Sequence, residues 1–306
     1  MNADTAHITG KLRCNNKSVI PGLPLVCIVI LNWNGWKETA TCLDSLNDLS
    51  YQNYQIILVD NGSTDDSVIR IRSLYNSISI IEVGYNLGFS GGCNVGINHA
   101  IKAGADYVWL LNNDTVVERE SLSALVDSAK YNNRIGAVGS IIYEINPPTD
   151  IQAWGGGWVD MDRGKSYHSK GPKDSLTYIT GASLLLSVEA LNQIGLFDEK
   201  FFLYWEDTDL SYRLRANGWN LLVAPSSRIW HVECSSTGRF SQSRARLFYR
   251  SRIYFFKKYS SRPLFAILQG LLDQSMRDII RMRWGHLIGA WQGTLQGLKD
   301  STIDEP

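Results

Sequence analysis

The sequence predicts an α/β protein with a mostly parallel central sheet flanked by helices, followed by a helical C-terminal extension. Three observations predict it. Apolar runs of strand length alternate with helical stretches of about ten residues, the pattern of βαβ units. The first run, Leu25 to Leu31, reads LVCIVIL and is apolar on both faces, as a strand covered by helices on both sides must be. Polar residues then follow one strand after another, at the carboxyl ends where open α/β sheets bind ligands.

Met1 to Pro24 reads as a loose tail ending in Pro21-Gly22-Leu23-Pro24. After the first strand, Trp36 to Leu46 has helical spacing. Tyr54 to Val59 is a second strand, stopped by Asp60-Asn61-Gly62, and Ser63-Thr64-Asp65-Asp66 offers caps to a helix over Val68 to Tyr75. Ile78 to Val83 is a third strand, Asn94 to Ala103 a helix, and Tyr107 to Leu111 a fourth strand. A helix over Arg119 to Tyr131 and a strand over Ile135 to Tyr143 follow. Past Pro147-Pro148, Gly155-Gly156-Gly157 and Gly164 to Asp174 read as a mobile loop between a nucleotide half and an acceptor half. Ser183 to Ser187 is a strand, Val188 to Ile194 a short helix, and Thr208 to Asn217 a helix ended by Gly218. Asn220 to Ala224 and Arg228 to His231 are two further strands. The expected organisation is a flexible tail over 1–24, a main domain over 25–238 with halves 25–146 and 147–238, and an extension over 239–306.

With 306 residues, 44% of them hydrophobic, the chain can bury a large core. Its formal net charge is zero, yet Arg239 to Arg283 holds nine Arg and two Lys against Asp273 and Asp278. These cations interleave with Phe240, Phe248, Tyr249, Tyr254, Phe255 and Phe256, and Leu264 to Leu272 adds an apolar stretch. Basic amphipathic helices of this kind lie in a membrane interface, so a peripheral membrane surface is the expected partner. Packing on the main domain or a homodimer contact is the alternative. No nucleic-acid recognition module accompanies the charge. The five cysteines, Cys14, Cys27, Cys42, Cys93 and Cys234, form no CxxC pair, which points to reduced thiols in the cytoplasm. The first 20 residues lack the apolar core of a signal peptide, and no apolar run reaches the ~18 residues of a membrane span.

Four stretches carry chemistry. Asn112-Asn113-Asp114 follows the strand YVWLL, where a carboxylate can hold a divalent cation against a diphosphate; a turn or helix cap is the plainer reading. Glu206-Asp207-Thr208-Asp209 follows the aromatic run Phe201 to Trp205. Crowded carboxylates beside apolar rings raise one pKa and make a general base, and the same residues also suit a helix N-terminus. Asp209 and Arg213 stand four apart and read as a structural pair. His231 closes a short strand, where a lone histidine is more often a core or surface residue than a ligand; with Asp114 available it is a candidate second metal ligand or phosphate donor. Gly84 to Asn94 is a Gly-rich turn into a helix, neither a Walker A motif nor a dinucleotide fingerprint.

Together these pieces resemble the family 2 glycosyltransferases of the GT-A fold. The carrying stretches are Val26 to Trp36, VDNGSTDDS at Val59 to Ser67, YNLGFSGGCNVG at Tyr85 to Gly96, LLNNDT at Leu110 to Thr115, TGA at Thr180 to Ala182 and FFLYWEDTDLSYRLRANGW at Phe201 to Trp219. The resemblance covers Leu25 to Tyr259 and is nearest to the rhamnosyltransferase-like branch, which assembles bacterial surface polysaccharides. It implies an inverting transfer of a sugar, L-rhamnose foremost, from a nucleotide diphosphate donor to a saccharide hydroxyl. A dTDP-sugar is the favoured donor and a UDP-sugar the second choice. The acceptor is expected on a polyprenyl diphosphate at the inner face of the cell membrane.

The resemblance assigns Leu31, Asn32, Asp60, Asn86, Gly88, Asn94 and Asn113 to the nucleotide. It assigns Asp114 and His231 to a divalent cation, Mg2+ or Mn2+, and Thr180, Gly181 and Trp205 to the acceptor. Asp207 is the implied base, with Glu206 beside it. The family's DxD begins with Asn112 here, a departure from the pattern. A nucleotidyltransferase is the rival enzyme, but the basic Gly-rich signature it needs near the first strand is missing, with only Lys37 nearby. A non-catalytic carbohydrate-binding protein on the same fold is the other rival, and intact Asp114 and Asp207 argue against it.

Overall fold

The computed structural model describes residues 22–172, 176–232 and 240–300. The tail as far as Pro21, Cys14, Cys234 and the expected boundary at 238/239 lie outside the described residues. The first part of the main domain runs β1 (Val26–Asn32), α1 (Trp36–Leu46), β2 (Tyr54–Asp60), α2 (Ser67–Leu74), β3 (Ser79–Glu82), α3 (Gly88–Lys102), β4 (Tyr107–Asn112), β5 (Thr115–Val117), α4 (Ser121–Ala129) and β6 (Ile135–Glu144). Then come β7 (Ile151–Trp154), β8 (Gly156–Asp160), β9 (Lys165–His168), β10 (Tyr178–Ile179), β11 (Ser183–Ser187), α5 (Val188–Ile194), α6 (Glu206–Ala216) and β12 (Asn220–His231). Three helices end the chain: α7 (Gln242–Tyr259), α8 (Pro263–Ile280) and α9 (Trp284–Asp300).

The main sheet has nine strands in the order β3-β2-β1-β4-β11-β6-β12-β5, with β7 added on β6. β1 pairs in parallel with β2 and β4, while β11 runs antiparallel between β4 and β6. The apolar run in β1 is buried on both faces for one physical reason: alternate residues serve opposite sides. Val26, Ile28 and Ile30 pack with α1, α2 and α4, whereas Cys27 and Val29 pack with α3, α5 and α6.

The Gly-rich segment corrects the expectation of a mobile loop. β8, β9 and β10 form a second, three-stranded sheet in the order β10-β8-β9, and β7 joins the main one. Glycine permits this closeness, since a Cβ on Gly157 would collide with the Tyr167 carbonyl. The two strands expected over 220–231 are one strand, β12, with an irregularity between Ala224 and Arg228. Helix α3 begins at Gly88, six residues before the predicted start at Asn94, because the glycines let it press on the sheet: a Cβ on Gly92 would meet Leu31.

Helix α7 docks on the main domain through Trp205, Phe201, Ile253, Phe255 and Phe256, all buried. Helix α9 lies against α7 on its small residues; a Cβ on Gly289 or Gly293 would strike the carbonyls of Gln242 or Arg246. Among the described residues no helix is long and apolar enough to cross a membrane.

Candidate active site

Parallel register brings the first strand-end polar groups together. Asn32 aligns with Asp60, and Leu31 with Asn112. Asn32 Nδ2 donates to Asp60 Oδ1 at 2.8 Å, and Asn32 Oδ1 accepts from Thr39 Oγ1 at 2.8 Å. Asp60 also accepts from the backbone and hydroxyl of Ser63, which curls the Asp60-Asn61-Gly62-Ser63 turn. Asn61 Nδ2 donates to Asn86 Oδ1 and to the Gly88 carbonyl, so the turns after β2 and β3 are joined. Asn113 Nδ2 donates to Thr39 Oγ1 at 3.0 Å. The result is a continuous polar network along one sheet edge, linking Asn32, Asp60, Asn86 and Asn113.

The Asp114 and His231 pair arises from strand pairing. β5 runs antiparallel to β12 with Thr115 opposite His231, and the Val232 N–H donates to the Asp114 carbonyl. His231 Nε2 therefore lies 3.2 Å from Asp114 Oδ1. Its Nδ1 lies 2.7 Å from Gln152 Oε1, and Gln152 Nε2 donates to Glu144. That chain puts the ring proton on Nδ1 and turns Nε2 toward Asp114, with Asn112 Nδ2 donating to Nε2 at 3.2 Å. The residues fit a divalent cation. Neighbouring ligand atoms on an octahedron with bonds of about 2.1 Å lie about 3 Å apart, close to the observed separation. Two ligands from the protein suit an ion that takes its remaining ligands from water and phosphate oxygens. No cluster of three His, Cys, Asp or Glu is present among the described residues. Asn112, in the first DxD position, contacts the histidine.

The Glu206-Asp207 pair opens α6. Tyr204 and Trp205 before it both have left-handed backbones, with φ of 70° and 71°. Such conformations cost about 1–3 kcal/mol each in a non-Gly residue and persist only where packing imposes them. Here Trp205 is wedged among Phe248, Phe255 and Phe256 of α7, while Phe201 and Phe202 bond α3 through Ser90 and the Phe89 N–H. The start of α6 is thus clamped between α3 and α7. Asp207 Oδ2 accepts from the Gly181 N–H at 2.9 Å, and Oδ1 from the N–H and hydroxyl of Thr208. Burial raises the Asp207 pKa, and these donors together with His168 pull it back. Glu206 is more buried, its Oε2 has no partner, and burial followed by the Asp207 charge pushes its pKa well above the carboxylate range. The pair is therefore split into one carboxyl held toward its neutral form and one carboxylate aimed by three donors.

Three expected site residues have other tasks. Trp205 is 3% exposed inside the α7 aromatic cluster, so it does not present a face to an acceptor. Asn94 is tied to Phe197 and Glu199 through both ends of its amide, clasping α3 to that loop. Gly88 has its N–H bonded to Asn86 and its carbonyl to Asn61, and its φ of +74° places it under Phe202. Gly181 holds Asp207, and the Thr180 N–H donates to Gly155. Asp209 is buried and bonded to Arg213, Lys258 and Tyr259, the structural role its spacing implied. Sequence reading missed Gln152, His168 and Ser63. It also missed the exposed rings of Trp33 and Tyr85, which adjoin the polar turns after β1 and β3. An aromatic beside each strand-end polar cluster was the signal available for those two.

A curled mixed sheet with a polar carboxyl edge, a carboxylate–histidine pair and a second carboxylate pair is the architecture of a GT-A, nucleotide-sugar-dependent glycosyltransferase. Solved structures share the fold. A mannosyltransferase from Pyrobaculum calidifontis in complex with GDP-Man and Mn2+ superposes with a TM-score of 0.59 at 15% identity, over 93% of this chain and 76% of that one. GalNAc-T7 with UDP, GalNAc and Mn2+ gives 0.65 at 15% identity, over 93% and 58%. Residues 27–195 match the family model described as Glycosyl transferase family 2, and the chain belongs to that family. It is also 28% identical over 255 residues to the N-acetylglucosaminyl-diphospho-decaprenol L-rhamnosyltransferase of Mycobacterium tuberculosis, spanning 74% of this chain and 82% of the relative.

Proposed function

We propose that this glycosyltransferase moves L-rhamnose from dTDP-L-rhamnose, with inversion, onto a hydroxyl of a polyprenyl-diphosphate-linked saccharide during bacterial surface polysaccharide synthesis. The similarity to the mycobacterial rhamnosyltransferase supports the sugar and the lipid-linked acceptor. A UDP-sugar is the second choice of donor. The chain would work in the cytoplasm, peripheral on the inner face of the membrane.

The observation that carries the mechanism is the oriented carboxylate of Asp207, held by Gly181 and Thr208 beside a buried Glu206 whose carboxyl is shifted toward its neutral form. The acceptor hydroxyl attacks the anomeric carbon as Asp207 takes its proton; the carbon–oxygen bond to the diphosphate breaks on the opposite face. The edge network from Asn32 and Asp60 to Asn86 and Asn113 shapes the nucleotide site, with Trp33 and Tyr85 flanking it. Asp114 and His231 would hold Mg2+ or Mn2+, which when bound neutralises charge developing on the leaving diphosphate. In this reading residues 25–146 take the donor, 147–238 the acceptor, and 239–306 the membrane surface.

The test has two stages. Melting temperature is measured with dTDP, UDP and GDP, with and without Mg2+ or Mn2+, since a ligand that binds only the folded state raises it. The expected result is the largest shift with dTDP plus metal. Transfer from dTDP-L-rhamnose to N-acetylglucosaminyl-diphospho-polyprenol is then followed by mass spectrometry. A cation-independent shift, or no transfer from any dTDP- or UDP-sugar, counts against the reading.

A further inference from the structure

A cleft of about 320 Å3 lies between β9 and α8, away from the edge network, lined by Arg163, Lys165, Tyr167, Gln269, Asp273 and Arg277. Among the described residues its cations outnumber its carboxylates. Lys165 and Arg277 both pair with Asp273, and Arg163 lies 3.9 Å from Asp160. Beneath the cleft sits Arg252, 2% exposed, whose Nη2 donates to the carbonyls of Ala266 and Ile267 and whose Nε has no partner. Gly164 and Gly270 border it so closely that a Cβ on either would strike this guanidinium. Among the described residues three cations therefore line the cleft against one carboxylate, Asp273, with Asp160 beside Arg163 and Arg252 buried behind them. Burial lowers the Lys165 pKa, and the charges of Arg277, Arg163 and Arg252 lower it further, as expected where anions are in short supply.

The cleft borders an apolar surface. Gln269, Asp273 and Arg277 stand at four-residue spacing on α8, each one residue beyond the exposed Leu268, Leu272 and Met276. With Leu264 and Ile280 the stripe runs about 24 Å along α8 at 1.5 Å per residue. Helix α9 continues it with Trp284, Ile288, Trp291 and Leu295, because the opposite, glycine-lined face packs on α7. Exposed apolar area of this extent marks an interaction surface. Arg281 and Arg283 at the α8–α9 turn, and the net-cationic cleft beside the stripe, complement a surface bearing anions.

We propose that α8 and α9 lie in the bilayer interface and that the Arg163–Lys165–Arg277 cleft receives the diphosphate of a membrane-embedded lipid-linked acceptor. A diphosphate diester carries two negative charges, matching the excess of cations, and Arg binds phosphate oxygens in bidentate fashion. The position suits an acceptor. Lys165 stands at one end of β9 and His168 at the other, three residues or about 10 Å away, where its Nδ1 lies 3.2 Å from the hydroxyl of Tyr178, three residues before the Gly181 N–H that holds Asp207. A diphosphate bearing one hexose spans that length, and β9 is an edge strand of its sheet.

This inference rests on the lipid-linked acceptor proposed above, and the experiment separates the two. Full-length protein is floated with phosphatidylcholine vesicles doped with a polyprenyl diphosphate, or with phosphatidylglycerol at equal surface charge. The doped lipid should bind at least about ten-fold more tightly, the worth of a charge-assisted contact. Excess inorganic diphosphate should abolish that preference, as should Arg277→Gln alone or combined with Lys165→Gln. Leu268→Ser with Leu272→Ser, at exposed positions that leave the fold intact, should weaken binding to every vesicle. Retained preference in Arg277→Gln overturns the cleft. So does a full-length dimer that binds no vesicle and dissociates in the Leu268/Leu272 variant, since the stripe would then cover a second copy. Wild-type failure to glycosylate the lipid-linked acceptor in detergent defeats the underlying function, whereas transfer with a KM unchanged by Arg277→Gln defeats the cleft alone.

Discussion

Replacing Asp207 by Asn removes the proposed base while preserving its shape, and the hydrogen bonds around it set the expected cost. An Asn that keeps its oxygen toward the Thr208 N–H turns its amide toward the Gly181 N–H, so two donors oppose each other where one bond of 2.9 Å stood. Losing that bond costs about 1–3 kcal/mol of stability, seen as roughly 2–4 °C of melting temperature per kcal/mol. The fold should survive. Turnover should fall about 10²–10⁴-fold, or roughly 3–5 kcal/mol of barrier. Donor affinity, measured by calorimetry with the nucleotide diphosphate, should change little because the role proposed for Asp207 is on the acceptor. The pH–rate profile supplies an independent readout. A base acts ionised, so activity falls as pH drops through its pKa, and burial places that acidic limb above the range of an ordinary aspartate. The variant should lack the limb. Near-native turnover in Asp207→Asn, with Glu206→Gln inactive, moves the base to Glu206. If both variants remain active, the pair is only a helix start and the mechanism fails.

Gln152→Ala removes the acceptor of the His231 Nδ1 proton and should weaken Mn2+ binding about 10–100-fold in a titration with nucleotide diphosphate present. Asp114→Asn should be at least as severe, and native Mn2+ dependence in that variant would remove Asp114 from the cation site. Glu206 has a folded pKa above its ordinary value near ~4.3, so its proton-bearing form stabilises the fold at low pH and this contribution is lost as pH rises toward the folded value. Glu206→Gln cannot ionise and should gain stability over wild type as pH climbs through that window; denaturation curves offset equally at every pH contradict the assignment. Trp205→Ala empties the α7 cluster and should cost about 3–5 kcal/mol in urea unfolding, whereas a loss under about 1 kcal/mol means that other contacts dock the extension.

The strand-end residues were legible because the signal is local. An apolar run such as LVCIVIL followed by Asn32, or YVWLL followed by Asn112, places a polar group at the carboxyl edge of a parallel sheet whatever the rest of the chain does. The Glu206-Asp207 pair was readable in the same way, and so was the Asp209–Arg213 bond, four residues apart on one helix. The small sheet β8–β9–β10 was not. Glycine-rich, polar sequence has weak propensity, and these strands are held by close backbone approach and cross-strand pairs such as Trp158 on Tyr167.

By itself the sequence determined the α/β class, the polar edge of the sheet and the identity of the acidic groups, since each follows from periodicity or from near neighbours in the chain. Tertiary structure decided which of those groups work together. Gln152 and His231 are 79 residues apart and meet through Gln152 on β7 and His231 at the end of β12. Gly181 and Asp207 are 26 apart and meet only when α6 packs beside the turn before β11. Trp205, which the resemblance assigned to the acceptor, is buried by α7, arriving from the end of the chain, which holds two left-handed residues in place. Such assignments depend on desolvation and donor geometry, which belong to the folded surroundings of a residue and have no counterpart in its local sequence.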